Sequence, residues 1–179
     1  MESFYKNYIK NNFNILDKVN VLKVDKLFKN LKNIKKKNKK VLIFGNGAGA
    51  SIASHFANDL TNSAKIRCLS FDSSTQLTCY ANDFGYDNWV KEAIKNFFEK
   101  NDLVILISAS GNSANMIQAA KFCKKNKIQF FSLTGFKKNN KLNKNSNEYI
   151  WVDSKSYNQV EISQLLILLF LVDHLKKNK

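Results

Sequence analysis

The sequence predicts an α/β domain in three layers: a mostly parallel sheet covered by helices on both faces, with further helices at both ends of the chain. Two observations carry this expectation. Several short apolar runs are continuously hydrophobic rather than alternating, as strands buried on both faces are, and helix-length segments separate them. Three of the six glycines fall within five positions directly after the first such run, where an open α/β sheet passes from strand to helix and binds its ligands.

The elements follow in order. Over residues 4–31 the apolar side chains Phe4, Tyr8, Ile9, Phe13, Leu16, Val19, Leu22, Leu27, Phe28 and Leu31 recur at spacing that suits one long or two shorter amphipathic helices. The lysine run at 35–40 is a turn and a solvated approach to the first strand, VLIF at 41–44. Helical patterning resumes at Ser51. Further strands are expected at 66–70, 103–107, 130–133 and 149–152, with helices at 87–98 and 112–125. Residues 69–87 read as a long loop-rich stretch and 137–147, KKNNKLNKNSN, as a polar loop with no role beyond solvation. The last helix, 159–175, carries LLILLFLV with scarcely a polar gap. Such a helix needs cover on all sides. The first helix and a second copy of the chain would supply it, so a dimer or larger assembly is expected; the alternative is a central helix within the monomer's own core.

Composition bounds the function. A chain of 179 residues that is 44% hydrophobic and 24% charged has room for one ordinary domain with a substantial core, which excludes wholesale disorder. The formal charge of +15 directs attention to nucleic acid or anionic small molecules. Arg67 is the only arginine, however, and arginine is the side chain suited to bidentate base and phosphate reading. A nucleic-acid partner is therefore not expected, and a coding bias toward Lys and Asn accounts for the charge. Cys68, Cys79 and Cys123 form no CxxC pair, so neither a disulfide scaffold nor a cysteine zinc site is indicated. The N-terminal residues lack a signal-peptide core, and no apolar run reaches the length of a membrane span. A soluble, cytoplasmic protein is the expectation.

Chemistry-bearing residues gather in four places. The turn GNGAGAS, with Gly45, Asn46, Gly47, Gly49 and Ser51, leads from strand to helix. Amides at Ala50 and Ser51 would open that helix toward an anion, although the spacing is not that of the dinucleotide fingerprint and no GK[ST] follows. The segment ISASGNSANMIQAA places Ser108, Ser110 and Ser113 around Gly111 at the end of the third strand. Three hydroxyls with first-turn amides can wrap a phosphate without a cationic side chain; helix capping is the competing explanation. In the 69–87 stretch Asp72, Ser73, Ser74, Asn82 and Asp83 suit either sugar hydroxyls or turns. Finally, His55 and Asp59 share one helix face, a pair fit for proton transfer or for part of a metal site.

These residues carry a resemblance. The pieces FGNGAGASIASHFANDL (44–60), FDSSTQLTCYANDFGYD (71–87), ISASGNSANMIQAAKFCKKNKIQFFSLTG (107–135) and, more faintly, VEIS (160–163) resemble a sugar isomerase (SIS) domain of the phosphoheptose isomerase type, in the family's order and spacing. The resemblance implies one SIS domain over 1–179, with an N-terminal helical oligomerisation segment at 1–34, an α/β core at 41–155 and a C-terminal helix at 156–179. It also implies a five-stranded parallel sheet, a homotetramer bundled through the terminal helices, and phosphorylated-sugar sites between subunits. Carried over by position, Ser108, Ser110 and Ser113 would hold the phosphate near the amide of Gly111. Asn46 and Gly47 would line the same pocket with Ser51, and Asp72 and Asp83 would lie near the sugar. His55 matches the family's conserved histidine, a zinc ligand in several members, and Asp59 takes the place of its catalytic glutamate.

The departures concern the chemistry. Gly49 replaces a family serine, and Asp59 carries its carboxylate one methylene further back. The family's Gln-Glu-x-His reads Val160, Glu161, Ile162, Ser163, and a further histidine, acid partner and metal ligand, falls on Leu168. His174 lies six residues beyond Leu168, about 9 Å along a helix, too far to substitute. Gln159 and Gln164 are nearby polar groups but not acids. No cofactor is required by the sequence, and zinc rests on His55 and Asp59 alone. The expected function is sugar-phosphate binding by a relative of sedoheptulose 7-phosphate isomerase with an incomplete acid and metal set. The alternative is a non-catalytic regulatory or protein-binding relative.

Overall fold

The computed structural model describes residues 1–177, so the last two residues of the expected 156–179 segment lie outside the described residues. Two N-terminal helices, α1 (Glu2–Asp17) and α2 (Val21–Lys36), precede a core of β1 (Val41–Phe44), α3 (Ala48–Asn62), β2 (Cys68–Ser70), α4 (Ser74–Phe84), α5 (Trp89–Phe97), β3 (Leu103–Ser108), α6 (Ala114–Lys125), β4 (Phe130–Thr134), α7 (Lys141–Asn145) and β5 (Glu148–Trp151). Helix α8 (Tyr157–Lys177) follows. The strands form one sheet in the order β2-β1-β3-β4-β5, every neighbouring pair parallel. This is the expected five-stranded α/β architecture.

The continuous apolar runs are explained by two-sided burial. Along β1, Val41 and Ile43 enter the core formed with α2, α3 and α8, while Leu42 and Phe44 enter the one formed with α5 and α6. Strand β3 divides the same way, Leu103, Ile105 and Ile107 to one side, Val104 and Leu106 to the other. Each such side chain contributes roughly 1.5–3 kcal/mol when fully removed from water, so the central strands are held from both faces. Their carboxyl ends are thereby fixed side by side.

Two expected loops contain helices. Within 69–87 the chain forms α4, because Leu77, Tyr80 and Phe84 recur at helical spacing and Leu77 and Tyr80 pack on the core beside α5. Within 137–147 Asn140 caps α7, its side chain accepting from the Asn143 amide at 2.9 Å. Asn140, Leu142 and Asn143 are buried, so this segment does more than face solvent. Asn143 Oδ1 accepts from Thr134 Oγ1 at 2.9 Å, tying α7 to the end of β4.

Helix α8 is covered on one side only within the single chain, so it is not the central helix of the monomer's own core that stood as the alternative. One stripe, with Val160, Ser163, Gln164, Ile167, Leu168, Leu171, Val172 and Leu175, is buried. The opposite apolar face stays open within the chain, with Ile162 at 44%, Leu166 at 47% and Phe170 at 51% exposure. In α1 only Asn12 is buried, and Phe4, Tyr5 and Phe13 are exposed. No helix among the described residues is long and apolar enough to cross a membrane.

Buried charge is paired at the amino edge of the sheet. Asp102 accepts from the amides of Lys40 (3.0 Å) and Glu99 (2.8 Å) and from Lys40 Nζ at 2.8 Å. Burial works against the charge on Lys40, but the carboxylates of Asp102 and Glu99 outweigh it and raise its pKa. At the far edge, Glu148 joins β5 to α2 through Lys23 (3.0 Å) and Lys26. Burial there opposes the carboxylate, and hydrogen bonds from the two lysines prevail, lowering its pKa. A lowered carboxylate pKa stabilises the fold above the unfolded value, about 4.3, and that stabilisation is lost as pH falls through the folded value. Glu148→Gln is therefore expected to lower Tm at pH 7 and to flatten the fall of Tm between about pH 5 and pH 3. Thermal melts across that range check it; parallel curves for the two proteins would contradict it.

Candidate functional site

The site begins at the carboxyl end of β1. Gly45 has no room for a side chain, because a Cβ there would lie 2.2 Å from the carbonyl carbon and oxygen of Gly49. Backbone is thus folded directly over backbone, and Gly47 completes the turn at φ +54°, a conformation open to glycine at little cost. The first turn of α3 closes on itself: Gly49 N donates to Asn46 O at 2.9 Å, Ala50 N to Gly47 O at 3.0 Å and Ser51 N to the same oxygen at 3.4 Å. The amides of Ala50 and Ser51, expected to face an anion, are therefore already committed.

Beside this turn lies the serine loop after β3. Ser113 occupies the N-cap of α6 yet makes no capping bond; its hydroxyl lies 3.0 Å from that of Ser108. Simple capping does not describe this serine. Ser110 Oγ accepts from the Asn112 amide at 3.2 Å. The Gly111 amide, expected near a phosphate, donates to Ser108 O at 3.0 Å. Gly111 itself sits at φ +66°, and a Cβ would strike the Asn140 side chain at 2.1 Å, which shows how α7 braces the loop from behind.

A reciprocal pair of amides joins the two loops. Asn46 Nδ2 donates to Asn115 Oδ1 at 3.0 Å and Asn115 Nδ2 returns a bond to Asn46 Oδ1 at 2.9 Å. Tyr86 Oη also donates to Asn46 Oδ1 (3.2 Å), and the Met116 amide to Asn115 Oδ1 (3.0 Å). Between the joined loops and the start of α8 is a cavity of about 150 Å³ lined by Asn46, Ser108, Ser110 and Ser113 and, from α8, by Tyr157, Glu161 and Gln164. A second hollow of about 270 Å³ is lined by Ser51 and His55 of α3 and again by Glu161, with Ile162 and Leu165. Glu161 is shared by both.

The SIS domain family model matches residues 5–135. A phosphoheptose isomerase of Helicobacter pylori (strain Shi470) is 34% identical over 146 residues, which cover 78% of this chain and 75% of that protein. The chain belongs to the SIS-domain family, in its phosphoheptose isomerase branch. Solved structures of phosphoheptose isomerases share the fold. The one from Neisseria gonorrhoeae superimposes with a TM-score of 0.87 at 21% identity, covering 97% of this chain and 98% of that one. The one from Francisella tularensis gives 0.88 at 19%, covering 98% and 96%.

Within this SIS domain the structure gathers Asn46, Ser108, Ser110 and Ser113 in the cavity, and Ser51 and His55 in the adjoining hollow. It does not bring the other expected residues to those walls. Gly47 is an exposed N-cap, Asp72 accepts from Ser70 Oγ at 3.0 Å on the surface, and Asp83 accepts from Asn82 Nδ2 at 3.0 Å, also on the surface. Asp59 Oδ2 lies 3.2 Å from His55 Nε2, both half exposed. Asp59 thus orients the histidine rather than lining the cavity.

The donor set of this SIS domain does not fit zinc. His55 and Asp59 supply two donors that already face each other, whereas a zinc site needs three or four protein ligands. Leu168 and Ser163, which the sequence resemblance aligns with further family ligands, offer nothing to a metal: Leu168 is fully buried, and the Ser163 hydroxyl donates to Gln159 O at 2.7 Å. Among the described residues no group of three His, Cys, Asp or Glu side chains comes together.

Four contributors were not among the expected site residues, Asn115, Tyr157, Glu161 and Gln164, although Glu161 and Gln164 were noted beside them. Glu161 stood within the matched VEIS segment, and Ser163–Gln164 interrupts an otherwise apolar stripe, a signal that was present. Asn115 and Tyr157 had no comparable mark. Replacing Asn115 strands the Asn46 amide and the Met116 N–H together. Asn115→Ala is expected to cost about 2 kcal/mol of stability, measured as a lower urea midpoint at unchanged m-value; a midpoint equal to that of the wild type would show the amide pair to be idle.

Proposed function

We propose that this chain binds a phosphorylated sugar and interconverts its aldose and ketose forms, with sedoheptulose 7-phosphate as the substrate class suggested by its relatives. The observation that carries the reading is Glu161, whose side chain borders both the serine-lined cavity and the hollow that contains His55. A phosphate held by Ser108, Ser110 and Ser113 leaves the sugar chain to run past a carboxylate toward an imidazole. That is the order of groups enediol chemistry needs.

In the forward direction the Glu161 carboxylate takes a proton from C1 of the ketose. The C–H electron pair forms the C1=C2 double bond, and the carbonyl π pair moves onto O2. Return of the proton to C2, with transfer of the O1 proton to O2, completes the aldose. In its imidazolium form His55 can hand its Nδ1 proton to the developing oxygen charge, since Asp59 lies against Nε2 and leaves Nδ1 for the ligand. Asp59 therefore becomes a positioning residue and Glu161 the base, a reassignment of the carboxylate expected from the sequence.

A second reading has its own support. Leu168 and Ser163 stand where the family's acid and metal groups are expected, which favours a protein that binds a phosphorylated sugar without converting it, in a regulatory or partner-binding role. NMR in deuterium oxide separates the two. Conversion of sedoheptulose 7-phosphate, or deuterium entry at C1, is expected in the wild type, unaffected by added zinc. Glu161→Gln should lose at least about 10²-fold in rate and Asp59→Asn only a few-fold. Binding with neither exchange nor conversion would overturn catalysis in favour of the second reading.

The assembly belongs to the same proposal. The open face of α8 forms a trough of about 570 Å³ lined by Ile162, Leu165, Leu166, Leu169 and Phe170, and α1 exposes Phe4, Tyr5, Ile9 and Phe13. Apolar surfaces of this extent mark interaction sites, and further copies of the chain, joined as a tetramer through α1 and α8, would cover them. Light scattering at micromolar concentration is expected to give four times the monomer mass; the mass of a single chain would rule this out.

A further inference from the structure

Gln164 sits where α8 is otherwise packed into the core. Its side chain is fully buried, at 0% exposure, and it borders the serine-lined cavity. Neither Oε1 nor Nε2 has a hydrogen-bond partner among the described residues. A buried primary amide without partners is costly, because two donors and an acceptor are stripped of water for nothing in return. Its neighbour Ser163 shows the ordinary solution on the same stripe, turning its hydroxyl back to Gln159 O. Gln164 does not turn back; both ends of its amide stay buried without a partner, and the residue borders a polar cavity.

Resting on the sugar-phosphate reading above, we infer that Gln164 is a specificity-determining residue that reads a hydroxyl group of the ligand close to its phosphate. The chemistry of the amide restricts what it can recognise. Its NH₂ can donate to a phosphate oxygen, but its carbonyl oxygen needs a donor, which a fully ionised phosphate does not have. A hydroxyl both donates and accepts, so a phosphorylated polyol satisfies both ends of Gln164 where inorganic phosphate satisfies one. The size of the cavity places that hydroxyl. About 150 Å³ is roughly five water volumes, room for the phosphate and the one or two carbons beside it, not for the whole chain of a heptose. The reacting end of the sugar then extends toward Glu161 and His55, and Gln164 acts on binding rather than on proton transfer.

The test uses the full-length protein, its Gln164→Met variant, which keeps the length of the side chain and removes both polar ends, and Gln164→Leu as a second shape. Calorimetry with inorganic phosphate, glycerol 3-phosphate and sedoheptulose 7-phosphate gives the affinities, and thermal melts without ligand give the stability. Both variants are expected to bind the two organic phosphates about tenfold more weakly, to bind inorganic phosphate within about twofold of the wild type, and to melt about 3 °C higher, since an unrewarded polar burial has been removed. Wild-type affinity for the organic phosphates in both variants would overturn the inference and leave the sugar-phosphate reading standing. A lower melting temperature with all three ligands weakened alike would also overturn it, by showing Gln164 to be a structural residue. If the wild type bound inorganic phosphate but neither organic phosphate, or none of the three, the sugar-phosphate reading itself would fail and the inference with it.

Discussion

The reciprocal amide bonds between Asn46 and Asn115 are the constraint on which the site depends. Each loop alone is a short turn at the end of a strand, free to lean toward or away from its neighbour. Two hydrogen bonds between their side chains, with Tyr86 and the Met116 amide added to the same oxygens, fix one turn against the other. Helix α3 can then begin in direct contact with the backbone at Gly45, and the hydroxyls of Ser108 and Ser113 remain turned toward each other instead of toward helix caps. The sheet beneath supplies the rigidity, since β1 and β3 are packed from both faces and their ends cannot move apart without opening both cores.

Much of this architecture could be read from residue pattern, for a definite reason. Strands buried on both faces leave continuous apolar runs, and all five expected strands form, displaced by at most two residues at their ends. The serine loop stood out because three hydroxyls cluster around a glycine at a strand end, and the Ser108–Ser113 contact, not a cap, is what the structure adds. What the pattern concealed was set by tertiary context. Helix α4 buries no residue completely, so its signal was thin against the turn-forming residues around it. Asn140 and Asn143 belong to a composition that suggests solvent, and only the short helix they cap and brace makes them part of the interior. The candidate site divided along the same line. Residues carried by the two strand-end turns met in space, whereas Asp72 and Asp83, on less firmly packed segments, stayed at the surface.

The contribution of α8 was the hardest to foresee. A run such as LLILLFLV suggests uniform burial, and the helix instead distributes its residues among three environments. Leu168 and Leu171 enter the core against α2 and α3, Ile162, Leu166 and Phe170 remain open, and Tyr157, Glu161 and Gln164 face the cavity. Average hydrophobicity cannot separate these faces; only the position of the helix axis over the sheet does. The choice of general base in the proposed reaction follows from this. A carboxylate on α3 is the one a linear comparison selects, while the carboxylate that borders both hollows comes from the other side of the cleft.

Ile162 and Leu165 wall the hollow beside His55 and also the wide apolar trough along α8. Because one pair of side chains serves two surfaces, those surfaces cannot drift independently. A change that reshaped the trough would move the wall of the hollow, and a change that widened the hollow for a bulkier ligand would alter what packs in the trough. Selection for a new ligand at this position would be filtered through whatever the outer face has to match. Ser108, Ser110 and Ser113, on the opposite wall, carry no such double duty. The cleft is thus anchored on the sheet side and tied to the outer surface on the helix side, which gives its two halves unequal freedom to diverge.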